Sequence, residues 1–181
     1  HLVKVVGAVN AVIFQEEGSI LGDTTDGYGF MANLYAGAPN WRDDTDPAVV
    51  LGAGGAARGV VAALLDAGAP QIILSNRTAE RATALQSEFG ARVVVSAWDD
   101  VGEAIKGAHL LVNTTSLGMD GQPALPVSLD HLGSETLVTD IVYAPLKTQL
   151  LIDAAARGCA VVDGLGMLLH QAAPGFEAWF G

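Results

Sequence analysis

Two short stretches carry residues whose types and spacing could hold a charged cofactor. Gly52-Ala53-Gly54-Gly55-Ala56-Ala57 follows an apolar run, Ala48 to Leu51, and leads into an alanine-rich segment. Glycines at this spacing permit a tight strand-to-helix turn and let the backbone approach a pyrophosphate, while the small Ala57 lets the helix pack close to the strand. Free N–H groups at the start of that helix face an anion. The motif lies between a predicted strand and a predicted helix, inside a βαβ unit, and so reads as a dinucleotide-binding turn. Gly52, Ala53, Gly54, Gly55 and Ala56 are the candidate cofactor residues of this turn.

The second stretch, Asn76-Arg77-Thr78, ends the next apolar run. Domains that bind NAD place an Asp or Glu here to accept from the ribose 2′-hydroxyl, and a carboxylate would repel a 2′-phosphate. This chain offers an amide, a guanidinium and a hydroxyl instead, with Arg81 one turn into the following helix. Arg77 and Arg81 could both reach a phosphate through charge-assisted bonds. Arg81 also has a plainer reading as a solvated charge on a helix face. NADP is the expected cofactor.

Further polar residues fall after later apolar runs: Asn113-Thr114-Thr115-Ser116, then Asp140 and Tyr143, then Gly164, Gly166, Met167, His170 and Gln171. Singly, each has an ordinary structural reading. Asn113 to Ser116 could be a turn and helix cap, Met167 a core residue, His170 a surface or satisfied histidine, and Gln171 a solvated helix residue. Their convergence on one edge, beside the glycine turn, favours a functional reading, because ligands of open α/β sheets bind beyond the carboxyl ends of the strands.

The elements that must position these residues alternate regularly. After short strands at Ala11 to Phe14 and Ser19 to Leu21 around the turn 15–18, a helix is predicted over Asp26 to Ala36, with Phe30, Leu34 and Met31 inward. Ala38 to Pro47 is polar and proline-bounded, the natural linker. Strands are then predicted over 48–52, 71–75, 92–95, 109–113, 137–142 and 160–163, and helices over 55–67, 78–89, 99–106, 147–157 and 165–179. This alternation implies an α/β fold with a doubly wound parallel sheet of about six strands. The strands are unbroken apolar runs, as expected when both faces are covered. Val3 to Val9 reads as extended.

Composition is consistent with this fold. Half of the 181 residues are hydrophobic, and 9 basic stand against 20 acidic residues. That balance argues against a nucleic-acid partner, which needs a basic face. It also means that an anionic cofactor must be held by a local positive site. No apolar run reaches the roughly 18 residues of a membrane span. Cys159 is alone and reads as a packed thiol, so a cytoplasmic setting without disulfides is expected. The four histidines are scattered, and no metal is implied.

The chain resembles the shikimate dehydrogenase family along nearly its whole length. The resemblance rests on GAVNA (7–11), GDTTDGYGF (22–30), GAGGAAR (52–58), SNRTAERA (75–82), NTTSLGM (113–119), DIVYAPLKT (140–148) and GLGMLLHQA (164–172). It implies NADP-dependent interconversion of 3-dehydroshikimate and shikimate, in the route to chorismate and the aromatic amino acids. It also implies two α/β domains, here a remnant of the substrate-binding domain over 1–37 and a Rossmann-like NADP domain over 38–181. The implied state is a monomer or homodimer that engages neither nucleic acid nor membrane. Residue by residue, the resemblance makes Asp26 the catalytic aspartate, paired with a lysine, and Asn10, Tyr143 and Gln171 substrate contacts. It puts Gly164 and Met167 near the nicotinamide and Thr114 and Ser116 in a cofactor loop. Asn76, Arg77, Thr78 and Arg81 form the adenosine-phosphate clasp.

Three departures stand out. Thr24 replaces a common asparagine and Ala11 a usual threonine, which bears on substrate preference. The family's lysine motif and the serines that grip the substrate carboxylate are not matched by any part of this sequence. Lys4, Lys106 and Lys147 are its only lysines, and none lies in a similar context. With a start at His1 and a stop at Gly181, where a closing helix is usual, we expect a fragment with weak or no turnover of its own. A quinate/shikimate dehydrogenase and a non-catalytic dinucleotide-binding module are the alternatives.

Overall fold

The computed structural model describes residues 9–15, 17–42 and 46–181. The extended reading of Val3 to Val9 falls outside these residues except for Val9, as do Lys4 and part of the predicted linker. Strands β1 (Ala11–Phe14) and β2 (Ile20–Asp23) pair antiparallel as a hairpin, and helix α1 (Asp26–Gly37) follows. Beyond the linker come β3 (Ala48–Leu51), α2 (Gly55–Ala67), β4 (Ile72–Ser75), α3 (Ala79–Phe89) and β5 (Val93–Ser96). A 3-10 turn (Trp98–Asp100) and the short α4 (Val101–Ala104) lead to β6 (Leu110–Asn113) and β7 (Leu137–Asp140). The chain ends with α5 (Gln149–Ala156), β8 (Val161–Val162) and α6 (Leu165–Phe180).

Strands β3 to β8 form one six-stranded sheet in the order β5-β4-β3-β6-β7-β8, with every pair parallel. The order runs outward from β3 in one direction and then restarts from β6 on its other side. The junction of β3 and β6 is therefore the switch point where such sheets leave a ligand crevice. Register aligns the strand ends: Ser96, Ser75, Leu51, Asn113 and Asp140 form one row across the sheet.

The central strands β3, β6 and β7 are buried along their whole length, because both faces of the sheet are covered there. Ala48 and Val50 point to a core shared with Phe30 and Leu34 of α1, Val60, Val61 and Leu64 of α2, Leu85 of α3 and Met167 of α6. Val49 and Leu51 point to the opposite core, with Ile105, Leu129, Leu150 and Leu151. Each such fully buried side chain contributes roughly 1.5–3 kcal/mol through removal of apolar surface from water. The first core matters most for the site, since it fixes α1 and α6 against the nucleotide-side helices.

Most boundaries shift from expectation by a residue or two, and three differences stand out. The fifth strand of the parallel sheet stops at Asp140, so Tyr143 stands three residues beyond it in a loop. The reason is local: the Asp140 side chain accepts from the Val142 N–H, which takes that group out of the ladder. The helix predicted over 99–106 shortens to a 3-10 turn and one α-turn, with Gly102 inside it. The strand predicted over 160–163 keeps only Val161 and Val162, at the sheet edge. Cys159 is buried, and its thiol donates to the Gly133 carbonyl. Among the described residues no helix is long and apolar enough to cross a membrane.

Candidate functional site

The glycine turn closes over the switch point. Gly52 has φ +109°, a conformation that favours glycine, and a Cβ added there would lie 2.6 Å from the Thr114 Oγ1. Thr114 itself is buried, and its hydroxyl donates to the Leu51 carbonyl at 2.6 Å. Its N–H bonds the same carbonyl at 2.8 Å. Thr114 thus latches β6 to the turn rather than presenting its hydroxyl to the crevice. Ser116, two residues on, is exposed. Space stands open above Gly54 and Gly55, where an added Cβ would meet nothing within 4 Å. A cavity of about 420 Å³ lies here, lined by Ala53, Gly54, Gly55, Arg58, Arg81, Ala84 and Leu85.

Helix α3, which follows the end of β4, lends Arg81, Ala84 and Leu85 to this cavity. Asn76 Nδ2 donates to the Thr78 carbonyl at 2.8 Å, bending the chain into α3. Arg77 and Arg81 are exposed, and neither makes an ion pair among the described residues. Arg58 is committed elsewhere: Glu88 clasps its guanidinium through both carboxylate oxygens, one bond being 2.8 Å. That hydrogen-bonded carboxylate raises the Arg58 pKa, and the guanidinium in turn lowers that of Glu88. Arg81 lines the cavity and Arg77 is exposed just beyond β4, in a chain whose net charge is −11.

A second cavity of about 220 Å³ lies between α1, α6 and the loop after β7. It is lined by Asp26, Ala56, Ile141, Tyr143, Gly164, Met167, Leu168 and Gln171. Asp26 opens α1, an acidic residue in the first turn, as the helix dipole favours. Asn10, just before β1, donates to Asp26 Oδ1 at 2.7 Å. Helix α6 comes close to α1 at Gly29, where an added Cβ would stand 2.7 Å from Gln171 Cβ. No larger residue would let Gln171 reach the rim beside Asp26. Tyr143 is about half exposed at that rim, and Met167 is buried in the core beneath it.

Behind the cavity, three strand-end loops are tied to one carboxylate. Asp140 is fully buried and accepts from Asn113 Nδ2 at 3.0 Å, the Val142 N–H at 3.0 Å and Thr148 Oγ1 at 2.7 Å. Burial pushes its carboxyl above the ordinary range, and these bonds pull it partly back. Asn113 also accepts from the Thr115 N–H and donates to the Leu117 carbonyl, which shapes the loop carrying Ser116.

The chemistry-bearing residues fall into two groups on one edge of the sheet. The glycine turn and Arg81 line one cavity; Asp26, Ala56, Tyr143, Gln171, Gly164 and Met167 line the other. Asn10 joins the second group through its bond to Asp26. Sequence reasoning passed over Thr25, which is buried between Asn10 and α6. Its one signal was its position as a hydroxyl residue before a helix start.

Residues 40–119 match the family described as shikimate / quinate 5-dehydrogenase. The chain is 60% identical over 176 residues to the shikimate dehydrogenase (NADP(+)) of Dinoroseobacter shibae, covering 97% of this chain and 63% of that protein. It is 57% identical over 176 residues to the one from Paracoccus denitrificans, covering 97% and 62%. It belongs to the shikimate dehydrogenase family. Among solved structures, shikimate 5-dehydrogenase from Thermus thermophilus in complex with NADP(H) and shikimate superposes with a TM-score of 0.85 at 40% identity, over 99% of this chain and 65% of that one. Quinate dehydrogenase from Corynebacterium glutamicum in complex with NAD superposes with a TM-score of 0.92 at 32% identity, over 99% and 64%. The chain spans 62–63% of the length of these two curated relatives.

Proposed function

We propose that this member of the shikimate dehydrogenase family takes part in the reversible NADP-linked reduction of 3-dehydroshikimate to shikimate. Residues 1–37 belong to its substrate side and 38–181 to its cofactor domain. One observation carries the reading: residues expected at the substrate (Asp26, Tyr143, Gln171) and residues expected at the cofactor (Ala56, Gly164, Met167) line a single cavity.

The open backbone over Gly54 and Gly55 and the two exposed guanidiniums fit NADP. The N–H groups at the start of α2 would hold its pyrophosphate. Arg77 and Arg81, with Asn76 and Thr78, would hold the 2′-phosphate, and Thr114 and Ser116 belong to the loop against the nicotinamide. Bound there, the cofactor supplies a hydride to the ring ketone. Asn10 and Gln171 orient the substrate hydroxyls. Asp26 has one oxygen bonded to Asn10 and makes no other side-chain bond among the described residues. That leaves it an oxygen to hold the ammonium that protonates the developing alkoxide. Among the described lysines, neither Lys106 nor Lys147 lines this cavity.

The superposition on a quinate dehydrogenase favours a second reading, a quinate/shikimate enzyme. Arg77, in place of an acidic residue after β4, weighs against an NAD preference. The test is reduction of NADP+ and of NAD+ with shikimate and with quinate, with intact mass recorded on the same sample. Shikimate with NADP+ as the fastest pair supports the main reading. Quinate with NAD+ as the fastest pair selects the second. Cofactor binding without affinity for either acid leaves a dinucleotide-binding module.

A further inference from the structure

Thr25 occupies the residue before α1, yet its side chain does not cap that helix. It is 7% exposed. Its hydroxyl donates to the Gln171 backbone carbonyl at 2.8 Å and accepts from Asn10 Nδ2 at 3.0 Å. The other acceptor within reach of the hydroxyl proton, Asn10 Oδ1, stands farther off at 3.3 Å. The Thr25 N–H donates to that Asn10 oxygen at 2.9 Å. Three segments thus meet at one residue: the approach to β1, the start of α1, and α6.

The orientation of the Asn10 amide follows from its neighbours. A backbone N–H only donates, so the Thr25 N–H must face the amide oxygen. An ionised carboxylate only accepts, so Asp26 Oδ1 must face the amide nitrogen. Both constraints demand the same rotamer, and the Thr25 hydroxyl adds a second partner to the nitrogen. The result is a hydrogen-bond donor, Asn10 Nδ2, set 2.7 Å from an acceptor, Asp26 Oδ1. The two N–H groups of Asn10 are thereby spent on Asp26 and Thr25, which fixes the carboxylate beside the amide and leaves its second oxygen to accept.

We propose that Thr25 is the positioning residue of the substrate side, holding the Asn10 amide against Asp26 and anchoring α6 so that Gln171 shares its cavity with Asp26. This rests on the function proposed above and adds to it the residue that sets the mutual geometry of its three polar contacts. The role is geometric: Thr25 does not line the cavity itself. Replacing its hydroxyl by a methyl group keeps the shape but leaves the Gln171 carbonyl and one Asn10 N–H short of a partner.

The test compares Thr25→Val and Thr25→Ser with the unmodified chain in two measurements. Exchange of the Asn10 side-chain amide protons, followed by NMR without ligand, is independent of any substrate. It should quicken about tenfold in Thr25→Val, the equivalent of one lost hydrogen bond, and stay near the original in Thr25→Ser. Shikimate affinity should fall about tenfold in Thr25→Val and recover to within about twofold in Thr25→Ser, with NADP affinity unchanged in both. Unchanged amide exchange in Thr25→Val would overturn the proposal, as would parallel loss of shikimate and NADP affinity. If the unmodified chain binds no shikimate, the functional reading fails, and amide exchange alone still decides the role of Thr25.

Discussion

Asn113 donates to Asp140 across 3.0 Å with both side chains fully buried, and the two residues are register partners at the ends of adjacent strands. Among the described residues the buried carboxylate makes no ion pair. It is held by hydrogen bonds alone, and burial raises its pKa from the ordinary 3.8. A raised carboxyl pKa in the folded state means that the native protein binds the proton more readily than the unfolded chain. The corresponding stability is fully present below pH 3.8 and is lost as pH rises through the raised value. Asp140→Asn keeps an acceptor for Asn113 and Val142, and the Thr148 hydroxyl can turn to accept. Urea unfolding across a pH series should therefore show a flatter decline in this variant. A decline as steep as in the original chain would remove Asp140 as its source.

The Arg58–Glu88 pair acts in the opposite sense. The guanidinium lowers the Glu88 pKa below 4.5, so its contribution is present above that value and fades as pH falls through the lowered one. Both partners are substantially exposed, so solvent screening keeps the energy small. A double-mutant cycle of Arg58→Ala and Glu88→Ala should give a coupling below about 1 kcal/mol, decreasing with salt. A value that salt leaves unchanged would contradict the screened geometry.

Gly52→Ala combines a positive φ with a methyl group 2.6 Å from Thr114 Oγ1. We expect a loss of roughly 2 kcal/mol or more in stability, since backbone strain and displacement of a buried latch add. NADP affinity should fall with it. Denaturant midpoints and a fluorescence titration on the same sample read both quantities.

Arg77→Ala tests cofactor choice. Loss of a charge-assisted bond to the 2′-phosphate should weaken NADP by about 10- to 100-fold and leave NAD nearly unaffected. The gap between the two cofactors should narrow as salt is raised. Equal weakening of both would place Arg77 on the pyrophosphate or on the fold instead.

By itself the sequence determined the parallel sheet, the glycine turn and the polar residues of its carboxyl edge. Those features rest on local physics: unbroken apolar runs such as Ala48 to Leu51 demand cover on both faces, and a Gly52-type turn demands glycine. Helix α2 was legible to the residue, because its glycine-rich start and glycine end punctuate an apolar stretch. The hubs were not legible. Thr25 reads locally as a helix cap, and Asp140 as a polar residue at the end of a strand. Their partners, Gln171 and Asn113, are 146 and 27 residues away in the chain. Only tertiary packing decides such bonds, because the close approach of α6 at Gly29 and the row of strand ends bring the partners together. A buried polar group then takes whatever partner the fold places within reach, since leaving it unpaired costs about 1–3 kcal/mol.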